Sequence, residues 1–394
     1  MSWEKVRLGD VTDSCLGKML DQEKNKGEYQ PYLANLNVRW GTFDLDNLSQ
    51  MRFEDDEQER YGLRYGDLVV CEGGEPGRCA IWKDQIPGMK IQKALHRVRV
   101  HECLDYRYLF YWFLLAGKRG ILEQYFTGAT IKHLPGQKLK SVVIDMPPIE
   151  TQHRIADILS AYDDLIKNNR KQIKLLEEAA QRLYKEWFVD LRFPNHEHTK
   201  IVDGVPEGWR VTTLDEICSV RKEMLTPEKI DVDTPYIGLE HIPRKDICLS
   251  EWGSSSEISS NKFRYYEDDI LFGKIRPYFH KVGFALNNGV TSTDAIVLKS
   301  TEGLWSLLLM TASSSEFVSY TYQNCKEGAK MPRADWKQMK SYPTIIADRA
   351  IQSAFEDQIY TITRKIKVLA LQINRLSEAR DRLLPKLMSG EVEV

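Results

Sequence analysis

The chain has 394 residues, of which 42% are hydrophobic and 28% charged, and its formal net charge is −2 at pH 7. This length suits two or three domains with packed cores, and the charge balance excludes a uniformly basic nucleic-acid binder without excluding local basic faces. No segment approaches the ~18 apolar residues of a membrane span. The opening MSWEKVRLGD has no apolar signal-peptide core, so a cytoplasmic protein without membrane contact is expected.

The seven cysteines are scattered and form no CxxC pair, which indicates reduced thiols rather than a disulfide framework. Cys71, Cys79, His101 and Cys103 lack the paired spacing of a zinc site, so buried thiols are the preferred interpretation. His196 and His198 lie close together without an evident third ligand. No metal site is therefore predicted.

The first 150 residues are predicted to form one globular domain. Short strands are expected at 67–71, 78–82 and 95–100, followed by a helix from Tyr106 to Leu122. The Gly-rich but acidic stretch Glu72–Gly77 is interpreted as a turn. Alternation of short apolar runs with Gly, Pro and Asp favours an α+β domain.

A long helix is predicted next, over residues 151–188. Its apolar residues recur at alternating steps of four and three, the spacing that keeps one stripe facing a partner helix. Asn169 is the polar exception on that stripe. The predicted seam residues are Ile155, Leu159, Tyr162, Ile166, Ile173, Leu176 and Leu183.

A linker rich in Pro and Gly (189–208) leads to a second predicted domain, 209–347. Strands are expected at 235–239, 269–272, 281–286 and 295–299, and a helix from Leu304 to Tyr322. A second long helix is predicted in 348–394, where Arg380 interrupts the stripe. Its seam residues are Phe355, Ile359, Ile362, Ile366, Leu369, Ile373, Leu376 and Leu383.

The two halves are copies of each other. Polar and apolar residues of the long helices match without gaps at an offset of 200, as in Gln152 and Gln352, and Trp3 and Trp209 open the two domains. A fixed offset with matched polar residues indicates internal duplication. We therefore expect two pseudo-symmetric α+β domains separated by an antiparallel, coiled-coil pair of long helices.

Catalytic motifs are not evident. Three Gly-Lys pairs lack the Ser or Thr of a phosphate-binding loop, and Asp145–Ile149 lacks the aromatic residue of an amino-methyltransferase motif. Basic clusters at equivalent places in both copies instead favour nucleic-acid contact, although one such cluster alone is usually a solvated face. The candidate DNA-binding residues are Arg39, Arg78, Lys93, Lys132, His133, Lys274, Arg276, Lys281, Lys330 and Arg333.

Several motifs together resemble the specificity subunits of Type I restriction–modification systems. These are the Trp-led domains, the matched Gly128-Ala129 and Gly328-Ala329 loops, Pro147-Pro148, and the ends of the long helices at 183–194 and 384–391. The resemblance covers essentially the whole chain, although Tyr342-Pro343-Thr344 replaces the proline pair in the second copy.

The resemblance implies a subunit without catalytic residues, with two target-recognition domains that each read half of a split double-stranded DNA target. It implies two methyltransferase subunits and restriction/translocase subunits as partners, to which S-adenosylmethionine, ATP and Mg would belong. The alternatives are a coiled-coil adaptor that binds only proteins and a standalone DNA-modifying enzyme.

Overall fold

The computed structural model describes residues 3–21, 25–256, 258–325 and 330–394. The predicted loop residues Gly328 and Ala329 lie outside these ranges. Backbone contacts divide the chain into unit 1, Met1–Asp164 with Leu376–Val394, and unit 2, Leu165–Arg375. Both long helices contribute residues to both units. The predicted domain boundaries at 150, 188, 208 and 347 stay predictions.

Unit 1 is built on an antiparallel sheet in the order β2-β10-β7-β8. Smaller sheets pair β1 with β11, β4 with β5, and β3 with both β6 and β9. The strands are β1 Glu4–Arg7, β2 Thr12–Leu16, β3 Glu28–Leu33, β4 Val38–Arg39, β5 Thr42–Phe43, β6 Gln50–Phe53, β7 Leu68–Cys71, β8 Cys79–Ile81, β9 Lys90–Ile91, β10 Leu95–Val100 and β11 Val143–Met146.

The helices of unit 1 pack on this sheet around an apolar core to which α2 contributes five buried aromatic side chains. They are α1 Gln58–Tyr61, α2 Tyr106–Lys118, α3 Gly136–Lys140, and the start of the long helix α4 Ile149–Tyr184. Helix α2 buries Tyr108 and Phe113 completely, and the Asp105 carboxylate caps its first turn. The predicted end at Leu122 is wrong, because left-handed Gly120 ends the helix and a short 3₁₀ turn follows.

Unit 2 repeats this plan with a sheet in the order β15-β23-β20-β21-β18 and a second sheet, β16-β19-β22-β17. The pair β14-β24 is equivalent to β1-β11. The strands are β12 Ile201–Val202, β13 Val205–Pro206, β14 Arg210–Thr213, β15 Cys218–Val220, β16 Met224–Leu225, β17 Tyr236–Ile237, β18 Cys248–Leu249, β19 Lys262–Tyr265, β20 Ile270–Gly273, β21 Val282–Ala285, β22 Gly289–Thr291, β23 Ala295–Ser300 and β24 Pro343–Ile346.

The helices of unit 2 correct one prediction. They are α5 Leu214–Ile217, α6 Trp305–Ala312, α7 Ser315–Gln323, α8 Trp336–Met339 and α9 Arg349–Met388. The single helix expected over Leu304–Tyr322 is two helices, because the Ser314 hydroxyl accepts the Phe317 N–H and starts a new one. The predicted replacement of the proline pair by Tyr342-Pro343-Thr344 is wrong, because Pro343 opens β24. Ala347-Asp348 follows β24 as Pro147-Pro148 follows β11.

The long helices pair antiparallel within each unit. In unit 1, Ile155 near the start of α4 shares a core with Leu384 and Leu387 near the end of α9. In unit 2, Trp187, just after α4, packs on Phe355 near the start of α9 with ring centroids 5.8 Å apart. The predicted α+β class with two similar globular regions and antiparallel long helices is confirmed.

The predicted seam residues lie on the packed face of their helices. Ile155, Leu159, Ile166, Phe355, Ile359, Ile366 and Leu369 are buried. The others are partly buried: Tyr162, Ile173, Leu176, Leu183, Ile362, Ile373, Leu376 and Leu383.

Both polar exceptions on the stripe meet polar partners. Arg380 in unit 1 pairs with Asp163 and Asp381. Asn169 in unit 2 donates to the Gln372 side chain at 3.4 Å. A polar pair inside an apolar seam disfavours slipped registers, because a slip would leave its members unpartnered.

No helix among the described residues is long and apolar enough to cross a bilayer.

Candidate nucleic-acid interface

Three loops meet in each unit through the same backbone bonds. In unit 1, Glu72 N donates to Ala94 O (2.9 Å) and Leu134 N donates to Glu72 O (2.7 Å). Residues 72–78, 92–94 and 127–134 are called loop cluster 1. The stretch Glu72–Gly77, which was interpreted from the sequence only as a turn, lies at the centre of this cluster.

In unit 2, Lys274 N donates to Asp294 O (2.8 Å) and Ala334 N donates to Lys274 O (2.9 Å). Residues 274–281, 292–294 and 330–334 form loop cluster 2. The donors and acceptors occupy the positions equivalent to those of loop cluster 1. The two copies therefore share a backbone frame at this end of their main sheets.

Different residues shape the two central turns. Gly74 and Gly77 take positive φ angles of 72° and 90° in loop cluster 1. The turn of loop cluster 2 instead uses Arg276 (φ 50°) and His280 (φ 53°), on either side of a 3₁₀ turn that begins at Pro277. Non-glycine residues in this region are uncommon and are held there by their surroundings.

Local partners restrain two of the predicted arginines. Arg78 binds the Glu75 carboxylate at 3.0 Å and the Asn35 side-chain oxygen at 2.9 Å. Asn35 in turn donates to Gly73 O at 2.6 Å. Arg39 is exposed, and its guanidinium donates to backbone carbonyls of its own turn. Arg78 thus holds loop cluster 1 together, whereas the guanidinium of Arg39 donates to Leu36 O and Val38 O, outside that cluster.

The other candidates of unit 1 face solvent. Lys132 lies 3.6 Å from Glu123, and its ammonium is 6.0 Å from the centre of the Phe126 ring. The His133 backbone closes its loop by exchanging two 2.8 Å hydrogen bonds with Thr127. Lys93 is exposed, and within the described ranges its side chain has no hydrogen-bond or ion-pair partner. Lys93 is thus the cation of loop cluster 1 most available to a ligand.

Two lysines of loop cluster 2 support the loops. The Lys274 ammonium donates to Thr293 O (2.7 Å), and the Lys281 ammonium donates to Leu239 O. Burial lowers the pKa of both lysines. The nearby Asp294 carboxylate favours the charged form of Lys274, whereas Arg333 opposes it. Both side chains therefore act mainly on the loop frame.

Three cations of loop cluster 2 are more available. Lys330 is exposed and has no side-chain partner among the residues that the structure describes. Arg333 is exposed and binds Asp294 at 3.0 Å, a surface pair that a ligand can replace at small cost. Arg276 makes no side-chain hydrogen bond within those residues, and its buried Nε is unpartnered.

An aromatic surface that the sequence only partly indicated lies beside Arg276. Tyr278 is 46% exposed and Tyr322 47% exposed, with ring centroids 5.2 Å apart. The guanidinium of Arg244 lies 4.0 Å from the Phe279 ring centre. Tyr322 and Arg244 could not be identified from the sequence, because both are distant from this loop in the chain. Folding brings them against Tyr278 and Phe279.

The described residues contain no group of His, Cys, Asp and Glu able to hold a metal ion. Cys71 and Cys79 are buried, whereas Cys103 is exposed. Burial raises the pKa of both buried thiols, so they are poor metal ligands and nucleophiles. The arrangement offers cations, aromatic faces and backbone groups for binding.

Comparisons with known proteins agree with this architecture. Residues 1–178 match the family model of the Type I restriction modification DNA specificity domain. The chain is 28% identical over 305 residues to the Type I restriction enzyme MjaIX specificity subunit of Methanocaldococcus jannaschii, covering 73% of this chain and 69% of the relative. The MjaVIII specificity subunit of the same organism is 29% identical over 304 residues, covering 76% and 62%.

A solved structure has the same fold. The crystal structure of a Type-I restriction-modification system S subunit from M. genitalium matches with a TM-score of 0.60 at 17% sequence identity. The match covers 98% of this chain and 96% of that protein.

Proposed function

We propose that this chain is a Type I restriction specificity subunit, like the relatives it resembles, and that it reads a split double-stranded DNA target. Loop cluster 1 contacts one half of that target and loop cluster 2 the other. The observation that carries the proposal is the recurrence of one loop frame in both units with different side chains. A frame of this kind presents two different recognition surfaces on related scaffolds.

The available cations have separable roles in this proposal. Lys93 and Lys330 are exposed point charges suited to phosphate contact, which contributes affinity and salt dependence without selecting a sequence. The Nε of Arg276 is buried and unpartnered among the described residues, and the backbone of Arg276 has a positive φ of 50°. An arginine so held is suited to bidentate contact with a guanine edge.

Aromatic residues extend the surface of loop cluster 2. Tyr278 and Tyr322 expose large ring faces beside the Arg276 turn. Such rings contribute apolar contact to thymine methyl groups or to sugars, and the neighbouring cations hold the backbone. The exposed Met331 adds apolar area on the neighbouring loop of the cluster.

We further propose that the chain is the specificity component of a larger enzyme and contributes no catalytic residue. Methyltransferase and restriction subunits would bind S-adenosylmethionine, ATP and Mg, and this chain would position them on DNA. The names of the relatives, specificity subunits of Type I restriction enzymes, support this assignment.

Methylation mapping tests the proposal. The chain is co-expressed with its methyltransferase subunit in a host that lacks other adenine methylation, and the methylated sites are sequenced. The expected motif has two defined halves separated by a spacer of fixed length and unspecified sequence. A continuous motif would contradict split recognition. Methylation independent of this chain, or absent DNA binding by the assembled complex, would favour a protein-only adaptor.

A further inference from the structure

An open pocket of about 760 Å³ lies in unit 1 between Trp3, the start of α4 and the segment that follows α9. Its lining includes Trp3, the turn from Met146 into α4, Ile155, and residues after α9 up to Glu393 and Val394. Trp3 is only half-buried. An indole at the wall of an apolar pocket provides a large contact surface.

The equivalent place in unit 2 is filled. Phe193, from the segment after α4, is 3% exposed and lies with its ring 4.6 Å from that of Trp209, the counterpart of Trp3. Phe188 contributes a second ring, 5.4 Å from Trp209 and 4.7 Å from Phe355. Trp209 is consequently 7% exposed.

The duplication explains why the pocket of unit 1 is open. At the helix offset of 200, Phe188, Phe193 and Phe355 correspond to Met388, Glu393 and Ile155. Three rings are thus replaced by two smaller apolar side chains and one carboxylate. The pocket is the unfilled equivalent of the Phe193 site.

Charges at the rim add a second requirement for the occupant. Glu4 and Glu393 are exposed, and neither has an ion-pair partner among the residues that the structure describes. In unit 2 the residue before Phe193 is Arg192, whose guanidinium binds Glu186 and Asp190 at 2.6 and 2.8 Å. Those two acids correspond to Lys386 and Gly390 in unit 1, so it is the free carboxylates of Glu4 and Glu393 that favour an occupant with a cation next to its aromatic residue.

We propose that this pocket receives an aromatic side chain from a partner polypeptide, with an adjacent Arg or Lys contacting Glu4 and Glu393. The proposal goes beyond DNA reading and does not depend on it, because it concerns the end of unit 1 built from Trp3, the start of α4 and the end of α9. In unit 2 the chain's own Phe193 packs on Trp209. In unit 1 the partner's aromatic side chain would pack on Trp3 in the same way.

Binding of a labelled peptide to the full chain tests the site. The probe is the chain's own segment 189–196, Val-Asp-Leu-Arg-Phe-Pro-Asn-His, followed by fluorescence anisotropy. Saturable binding is expected. The peptide with Ala in place of Phe193 should bind at least about tenfold more weakly, because burial of the ring is lost. Equal binding of both peptides, or no saturable binding at millimolar concentration, would overturn the proposal.

Filling the pocket from within the chain provides a second test. Glu393→Phe restores the residue of unit 2 at an exposed position, so folding is not at risk. This variant should lose peptide binding and unfold at a higher temperature than wild type. Glu393→Gln is the matched control, and it should retain binding with a reduced dependence on salt. Peptide binding unchanged in Glu393→Phe would show that the peptide does not occupy this pocket.

Discussion

Loop cluster 1 and loop cluster 2 share their backbone bonds and differ in nearly everything that a ligand would meet. At the central position the first has Glu72 and the second Lys274, although both residues donate and accept the same two backbone hydrogen bonds. The first turn relies on glycines and the second on Arg276 and His280. The comparison teaches that the sheet sets the loop frame through backbone groups, which leaves the side chains free to diverge.

A buried ion pair shows the same principle inside the units. Asp67 and Asp269 occupy equivalent turns, and each accepts a backbone N–H three residues earlier at 2.8 Å. Asp67 binds Arg99 on β10, whereas Asp269 binds Arg221 just beyond β15. By strand register, Arg221 corresponds to Cys15 and Arg99 to Lys299. Both units thus retain the buried carboxylate. The arginine that binds it lies on β10 in unit 1 and just beyond β15 in unit 2.

The largest expected effect comes from charging the helix seam at equivalent positions. Leu159→Asp in unit 1 and Ile359→Asp in unit 2 each place a carboxylate at a fully buried site. Each should cost several kcal/mol, on the order of 4 or more, because the charge has no partner. Hydrogen exchange should show protection lost first in the unit that carries the substitution. Uniform loss in both units would contradict separate packing.

Removing the carboxylate of the ion pair should have a somewhat smaller effect. Asp67→Asn leaves Arg99 without its main partner and should cost about 3 kcal/mol, measured by denaturant unfolding. Asp269→Asn is the matched variant in unit 2. The double variant Cys15→Arg with Arg99→Lys keeps Asp67 and gives unit 1 the arginine position of unit 2. It should be nearly as stable as wild type. A double variant as unstable as Asp67→Asn would show that the two arrangements are not interchangeable.

A pH dependence should distinguish unit 2 from unit 1. Burial raises the pKa of Glu177 from its ordinary value of 4.5 to about 7, against the opposing hydrogen bond from Ile247 N. The folded state therefore holds a proton that the unfolded state releases between these values, so stability falls as the pH rises from 4.5 to 7. The equivalent position in α9 is Ser377, which cannot titrate in this range.

Glu177→Gln tests this dependence because the amide oxygen can still accept the Ile247 N–H. The variant should match wild type near pH 4.5 and be more stable at pH 8 by on the order of 2 kcal/mol. Thermal unfolding across this range measures the difference. A constant difference at every pH would exclude titration of Glu177 as its cause.

Smaller effects are expected at the exposed lysines of the two loop clusters. Lys93→Gln and Lys330→Gln should each reduce the salt dependence of DNA binding by the assembled enzyme by about one unit of logarithmic slope. Lys299→Gln is the control, since Lys299 is an exposed lysine near the other end of β23. If Lys299→Gln reduced the salt dependence of DNA binding as much, the effect would come from overall charge rather than from contact of the loop clusters with DNA.

The sequence predicted what depends on periodicity. The stripe in α4 and α9 identified the long helices and their duplication because a buried seam needs apolar residues at regular steps. The break at Ser313 and Ser314 escaped prediction, since the surrounding residues are apolar enough for one continuous helix. A side-chain cap decided against it.

The candidate interface was less predictable because it depends on contacts between distant loops. Basic residues near 132 and 333 were identifiable, but nothing local indicated that they meet the turns at 72 and 274. The sequence ranked Arg39, Arg78 and Lys93 below the clustered candidates, but it could not show which of the ten side chains have local partners. In the folded chain Arg78, Lys274 and Lys281 bind the loop frame, whereas Lys93, Arg276 and Lys330 remain available.

The claim that each loop cluster recognises its own half of the DNA target is tested most directly by the methylated motif of an Arg276→Ala subunit. This motif is compared with those of wild type and of Lys93→Ala. Arg276→Ala should relax one or two base positions in a single half of the motif, by about 1–3 kcal/mol of discrimination. The other half and the spacer length should stay unchanged. Relaxation spread over both halves, or an unchanged motif, would contradict the assignment of one half to loop cluster 2.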